Sequence, residues 1–92
     1  MNKPLIYDNA LAQWGYDRQV LATSEECSEL AASCVRFVNH KANASRVAEE
    51  AADVEIMIEQ FRLNGIGLMI DFHKQKKLER LAERLGVTYA AE

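Results

Sequence analysis

Apolar residues recur along this chain with the period of a helix and almost never alternate as they would in a strand. The clearest run is Val47, Ala51, Val54, Ile58 and Phe61, spaced i, i+4, i+7, i+11, i+14. Ser45 stands ahead of it as a candidate N-cap, and Asn64-Gly65-Ile66-Gly67 closes it. Upstream, Val20, Cys27, Leu30, Cys34 and Phe37 or Val38 form the core stripe of a helix that Asp17 can cap and that runs to about Val38. A shorter helix is predicted over about 5–14, ending near Gly15, and Asn39–Ala44 reads as a loop. Leu78, Leu81 and Leu85 give an apolar face to a fourth helix, capped by Asp71 and closed by Gly86. The only proline is Pro4, so nothing breaks a helix after it. The pattern predicts an all-α fold of four helices.

Composition adds a size constraint. With 92 residues, 49% hydrophobic and 27% charged, the chain reads as one globular domain over 1–92, its core at about 5–86. A chain of this size buries only about 60–70% of its unfolded surface, so help from a partner copy or a metal is expected. Ile66, Met69, Ile70 and Phe72 crowd the connection before the fourth helix, more than one small hairpin can cover. A homodimer or homotetramer whose helices complete a bundle is therefore predicted.

The net charge of -3 gives no reason to expect a nucleic-acid polymer as partner. Charge is uneven: most acids lie in 25–59, whereas Lys74, Lys76, Lys77, Arg80 and Arg84 gather in 74–84. No apolar run approaches the roughly 20 residues of a membrane span, so no membrane partner is expected. The segment MNKPLIYDN has no long apolar stretch, which argues against a signal peptide. Cys27 and Cys34 are seven residues apart, about 10 Å along a helix and too far for a bond between them. Both fall on the apolar stripe, which predicts buried free thiols and a cytoplasmic location.

The candidate chemistry lies in two short stretches, SEECSEL at 24–30 and AEEAADV at 48–54. At 100° per residue, Glu25, Glu26 and Glu29 share an arc of about 100°, and Ser33 and Arg36 extend the line. Glu50 and Asp53 are i, i+3 neighbours, as are Glu26 and Glu29, and both pairs edge an apolar stripe. An antiparallel hairpin of the two helices lets the motifs converge. Either motif alone reads as a solvated helix face; two copies on adjacent helices favour a shared site. Converging carboxylates repel unless some protonate or a cation binds. A ligand set of oxygens without His or Cys points to Mg²⁺ or Mn²⁺, and neither His40 nor His73 follows a Glu by three as di-iron bundles require.

E-E-x-x-E at Glu25, Glu26 and Glu29, followed by E-x-x-D at Glu50 and Asp53, resembles the MazG-like family of all-α nucleoside triphosphate pyrophosphatases. The stretches WGYDRQVLATSEECSEL and KKLERLAERL resemble its short single-domain members from phages and bacteria, and the likeness spans about 5–86. The resemblance implies a compact four-helix MazG-like subunit and Mg²⁺-dependent hydrolysis of a nucleoside triphosphate to monophosphate and pyrophosphate. By position, Glu26, Glu29, Glu50 and Asp53 match the family's metal ligands. Glu25 matches its first motif acid, a candidate to orient the attacking water. Larger relatives carry longer segments that close the nucleotide pocket, and here a neighbouring subunit is expected to supply that wall.

Further substrate contacts are open between two readings. Lys74, Lys77 and Arg80 are candidates for phosphate contact or a solvated basic face. Arg36 is a candidate for phosphate or for a surface ion pair. Gln19 and Trp14 can meet base or sugar, and Trp14 also reads as core. The histidines read as surface residues. Two other functions compete with the first: a phosphoribosyl-nucleotide pyrophosphohydrolase on the same fold, and a non-enzymatic helical interaction or regulatory module.

Overall fold

The computed structural model describes residues 2–88, and these are helical without a strand among them. Helix α1 spans Lys3–Trp14, α2 Tyr16–Val38, α3 Ala44–Phe61 and α4 Gly67–Leu85. The segment Arg62–Ile66, in which Asn64 and Gly65 leave helical geometry, joins α3 to α4. None of the helices is long and apolar enough to cross a membrane. The chain divides into two compact units, the first ending at Gln60 and the second beginning at Phe61.

Local chemistry sets the boundaries. The Asn2 side chain accepts the Leu5 backbone N–H at 3.1 Å, and Pro4 sits in the first turn of α1, where its missing N–H costs nothing. Three expected caps fall elsewhere. Asp17 lies inside the first turn of α2, because the chain re-enters helix at Tyr16 directly after Gly15; its charge there suits the positive end of the helix dipole. Asn43, not Ser45, caps α3, its Oδ1 accepting the Arg46 N–H at 3.1 Å. Asp71 sits in the second turn of α4 and instead pairs with Arg62 at 2.7 Å. The break before α4 is made by Gly65 at φ 114°, a conformation that any β-carbon would strain. Gly86, at φ 70°, closes α4 by donating its N–H to the Ala82 and Glu83 carbonyls, as the sequence indicated.

Within the first unit, α1 is tied to α3 and α3 to α2 by polar links. The Tyr7 hydroxyl donates to Glu59 at 2.5 Å, Lys3 pairs with the same carboxylate at 3.2 Å, and Gln19 Nε2 donates to Gln60 Oε1 at 2.5 Å. Tyr7 is the one buried apolar residue among those described; the other buried positions are Gln19, Thr23, Ser33, Glu50 and Gln60.

This inverts the expected face of α2. Cys27 and Cys34 are free and exposed, and Val20, Phe37 and Val38 are exposed too. The inward line runs Gln19, Thr23, Glu26, Leu30, Ser33, with Glu26 and Leu30 half-buried. The helical period holds, but Val20, Cys27 and Cys34 each stand one residue, or about 100°, past the inward line. The inward positions are held by an amide that pairs with Gln60 on α3, a carboxylate that bonds Asp53, and two hydroxyls, Thr23 and Ser33, that donate to the Gln19 and Leu30 carbonyls of α2 itself, so side-chain polarity does not mark the buried face. On α3 the predicted stripe of Val47, Ala51, Val54, Ile58 and Phe61 is half-buried throughout. In the second unit, Ile66, Met69, Ile70, His73, Lys74, Lys77, Leu78 and Leu81 line an open concavity of about 570 Å³ along α4.

Candidate metal centre

The inward line of α2 carries Glu26, with Glu29 on the next turn, and α3 presents Glu50 toward them. One carboxylate oxygen from each of Glu26, Glu29 and Glu50 lies within 4.8 Å of the others. Glu50 is only 4% exposed, Glu26 is half-buried and Glu29 is exposed, so the cluster opens to solvent on the Glu29 side. Glu50 Oε2 and Glu26 Oε2 are both buried without a hydrogen-bond partner. A buried carboxylate oxygen with no donor is costly, and here two lie in one cluster.

The electrostatics agree. Burial pushes the Glu26 carboxyl above the ordinary carboxylate range; the charges of Asp53, Glu29 and Glu50 push it further, as does a side-chain hydrogen bond with Asp53. Burial likewise raises Glu50. Arg46 pulls it back, while Glu29, through charge and a shared hydrogen bond, and Asp53, through charge, raise it again. Asp53 thus adjoins the cluster on its Glu26 side, half-buried on α3. The donor set is all carboxylate oxygen, which suits a hard divalent cation.

Sequence reasoning passed over Arg46. Its guanidinium sits 3.2 Å from Glu50 and 3.4 Å from Glu49, and the i, i+4 spacing to Glu50 was the signal available. One cation facing several acids leaves the cluster net negative.

Glu25 stands outside this cluster. It is exposed and lines a separate hollow of about 490 Å³ with Arg18, Leu21 and Ala22. Gln19 is buried, paired with Gln60, whose part no sequence pattern signalled. Trp14 is not core: it is 55% exposed, because the short α1 buries Tyr7 and leaves its last turn outside. Arg36 is exposed in the last turn of α2, where a cation suits the dipole's negative end. Lys74, Lys77 and Arg80 lie exposed on α4 in the second unit, Lys74 and Lys77 on the rim of its apolar concavity. His40, in the loop after α2, and His73 are exposed, as read from sequence. No protein family, curated protein or solved structure gave a match to this chain.

Proposed function

We propose that the chain is a Mg²⁺-dependent nucleotide pyrophosphohydrolase of the MazG-like type, acting as a homo-oligomer. The observation that carries this reading is the pair of unpartnered buried oxygens, Glu26 Oε2 and Glu50 Oε2, in a cluster of carboxylates from two helices. Glu26, Glu29, Glu50 and Asp53 would hold Mg²⁺ or Mn²⁺. A cation held there would supply charge neutralisation of the triphosphate and a more acidic water.

The protein's own groups do the rest. Glu25, outside the cluster and open to solvent, accepts the proton of a water aimed at the α-phosphorus. The oxygen of that water bonds to the α-phosphorus while the bond to the bridging oxygen breaks, and pyrophosphate leaves. Arg18, which lines the same hollow as Glu25, offers a cation to the phosphates. Without metal the acids repel a polyanion, so metal and nucleotide bind together. Lys74, Lys77 and Arg80, exposed on α4, are the further candidates for phosphate contact.

Oligomerisation draws its support from the scarcity of buried apolar side chains. Leu78, Leu81 and Leu85 are exposed along one face of α4, and Tyr7 is the one buried apolar residue among those described. That apolar strip equally suits a non-enzymatic helical interaction module. Release of pyrophosphate from a panel of nucleotides with Mg²⁺ decides. Turnover of common triphosphates supports the proposal, turnover of a phosphoribosyl nucleotide alone redirects it to that substrate, and no turnover leaves the interaction module.

A further inference from the structure

Among the described residues, Arg46 is the cation that the acid cluster meets, and it meets one oxygen of one acid. It stands one turn before Glu50 on α3, with Nη2 lying 3.2 Å from Glu50 Oε1. Its Nη1 lies 3.4 Å from Glu49 Oε2, so the guanidinium is held by two carboxylates of its own helix. The other oxygen of Glu50, Oε2, is buried without a hydrogen-bond partner. Glu50 is 4% exposed, whereas the Arg46 side chain is 53% exposed. The carboxylate therefore lies inside while the charge that engages it reaches in from solvent. Its two oxygens are unlike: one is paired with a cation and one is bare.

That asymmetry bears on which cation the cluster takes. A carboxylate can offer a metal ion one oxygen or both. Ca²⁺ gathers six to eight oxygens in a loose shell and readily takes both from one carboxylate. Mg²⁺ requires a near-ideal octahedron at short range, and the two oxygens of one carboxylate stand too close to fill two of its corners. A metal ion on Glu50 Oε1 would share that oxygen with the guanidinium, and like charges at such range repel. A metal ion on Oε2 meets no such competitor.

We infer that Arg46 is a specificity-determining residue of the metal centre: by engaging Glu50 Oε1 it confines Glu50 to a one-oxygen ligand and so favours Mg²⁺ or Mn²⁺ over Ca²⁺. The inference rests on the metal-centre reading above and concerns binding, not turnover. Arg46 is a positioning residue here, since it acts through Glu50 and not on the metal or the substrate.

The test measures a ratio of affinities. Free Mn²⁺ gives a paramagnetic resonance signal that is lost on binding, so the full chain is titrated with Mn²⁺ and then competed with Ca²⁺ at fixed ionic strength and neutral pH. The parent should hold Mn²⁺ at least about tenfold more tightly than Ca²⁺. Arg46→Gln removes a positive charge, which strengthens the binding of both ions; that common gain cancels in the ratio. Release of Oε1 adds an oxygen that Ca²⁺ alone exploits, so the ratio should narrow by about threefold or more. Arg46→Lys, which keeps a cation one turn from Glu50, should restore most of the parent's preference. A ratio that is the same in Arg46→Gln as in the parent overturns the inference and leaves the metal centre standing. A parent that binds Ca²⁺ as tightly as Mn²⁺ overturns it as well, and this needs no variant to fold. A parent that binds neither ion removes the inference together with the metal centre. A ratio that narrows in Arg46→Gln, in a protein that releases no pyrophosphate, supports the role of Arg46 and removes the enzymatic reading.

Discussion

The Tyr7 hydroxyl on α1 donates to the Glu59 carboxylate on α3 across 52 residues of sequence, and Lys3 meets the same carboxylate. This contact joins the one buried apolar residue among those described to the helix that carries Glu50 and Asp53. The Tyr7 hydrogen bond, then that of Lys3, hold Glu59 below the ordinary carboxylate range. A carboxyl whose folded pKa is depressed contributes stability above its unfolded value and loses it as pH falls through the folded value. Tyr7→Phe should therefore lower the melting midpoint at neutral pH. The gap to the parent should narrow as pH drops below about 4, the usual carboxylate range. Thermal melts of both proteins from neutral to acid pH test this; a gap that does not change with pH would show that the hydroxyl acts through packing alone.

The acid cluster responds to pH with the opposite sign. Glu26 and Glu50 are raised, chiefly by burial. Their contribution is full below the unfolded carboxylate value and is lost as pH rises through the folded values, so the metal-free protein should lose stability from this source toward neutrality. A cation that binds only the folded form reverses the loss by RT ln(1 + [L]/Kd), about 2.7 kcal/mol at a hundredfold excess over Kd. Melting curves with and without Mg²⁺ at matched ionic strength should show a metal-specific rise that is larger at neutral than at acid pH. The absence of any such rise, with or without a nucleotide analogue, would remove the metal site.

Asp53→Asn separates repulsion from ligation. Its charge raises both Glu26 and Glu50, so without metal the variant should melt at or above the parent midpoint. With Mg²⁺ it should forfeit most of the parent's gain. A variant less stable than the parent in metal-free buffer would mean that Asp53 supports the fold directly.

Roles within the active set can be divided kinetically. Glu29→Gln and Asp53→Asn should abolish turnover by removing metal ligands. Glu25→Gln should reduce turnover about 10²–10⁴-fold while keeping metal-dependent nucleotide binding, since Glu25 lies outside the cluster. Mg²⁺ or Mn²⁺ should support the reaction and Ca²⁺ support it poorly. Products of diphosphate and orthophosphate would rule out attack at the α-phosphorus. Equal loss of binding in all three variants would make Glu25 a ligand.

Assembly should be visible by light scattering as a species larger than the 10.4 kDa chain at micromolar concentration. Leu81→Glu, which places a charge on the apolar strip of α4, should shift the population toward monomer and reduce helicity, because a lone amphipathic helix of this length is marginal in water. A stable parent monomer would show that the exposed leucines serve another partner.

Helix existence and period were legible in the sequence because both follow from spacing. The phase of α2 was not. Ser33 is wholly buried and Cys34 beside it is exposed, the reverse of what hydrophobicity dictates. The buried positions of the first unit are largely hydrogen-bonded or acidic; the Thr23 and Ser33 hydroxyls close on carbonyls of α2 itself, so nothing in their polarity shows that they face inward. The acids of the cluster could be read from their i, i+3 spacing, whereas the Gln19–Gln60 amide pair, 41 residues apart in the chain, left no local pattern.

The one-residue offset on α2 gives that helix two independent readers. Positions 19, 26 and 33 answer to the chemistry inside the subunit, while 20, 27 and 34 answer to whatever meets its outer side. Substitutions can therefore drift on either track without disturbing the other. Insertion or deletion of a single residue between Gln19 and Glu26 cannot: either rotates everything beyond it by about 100° and carries Glu26 off the inward line, and a deletion brings Cys27 and Cys34 onto it. Evolution of this helix should proceed by replacement and not by change of length, and the same limit applies to anyone who redesigns it.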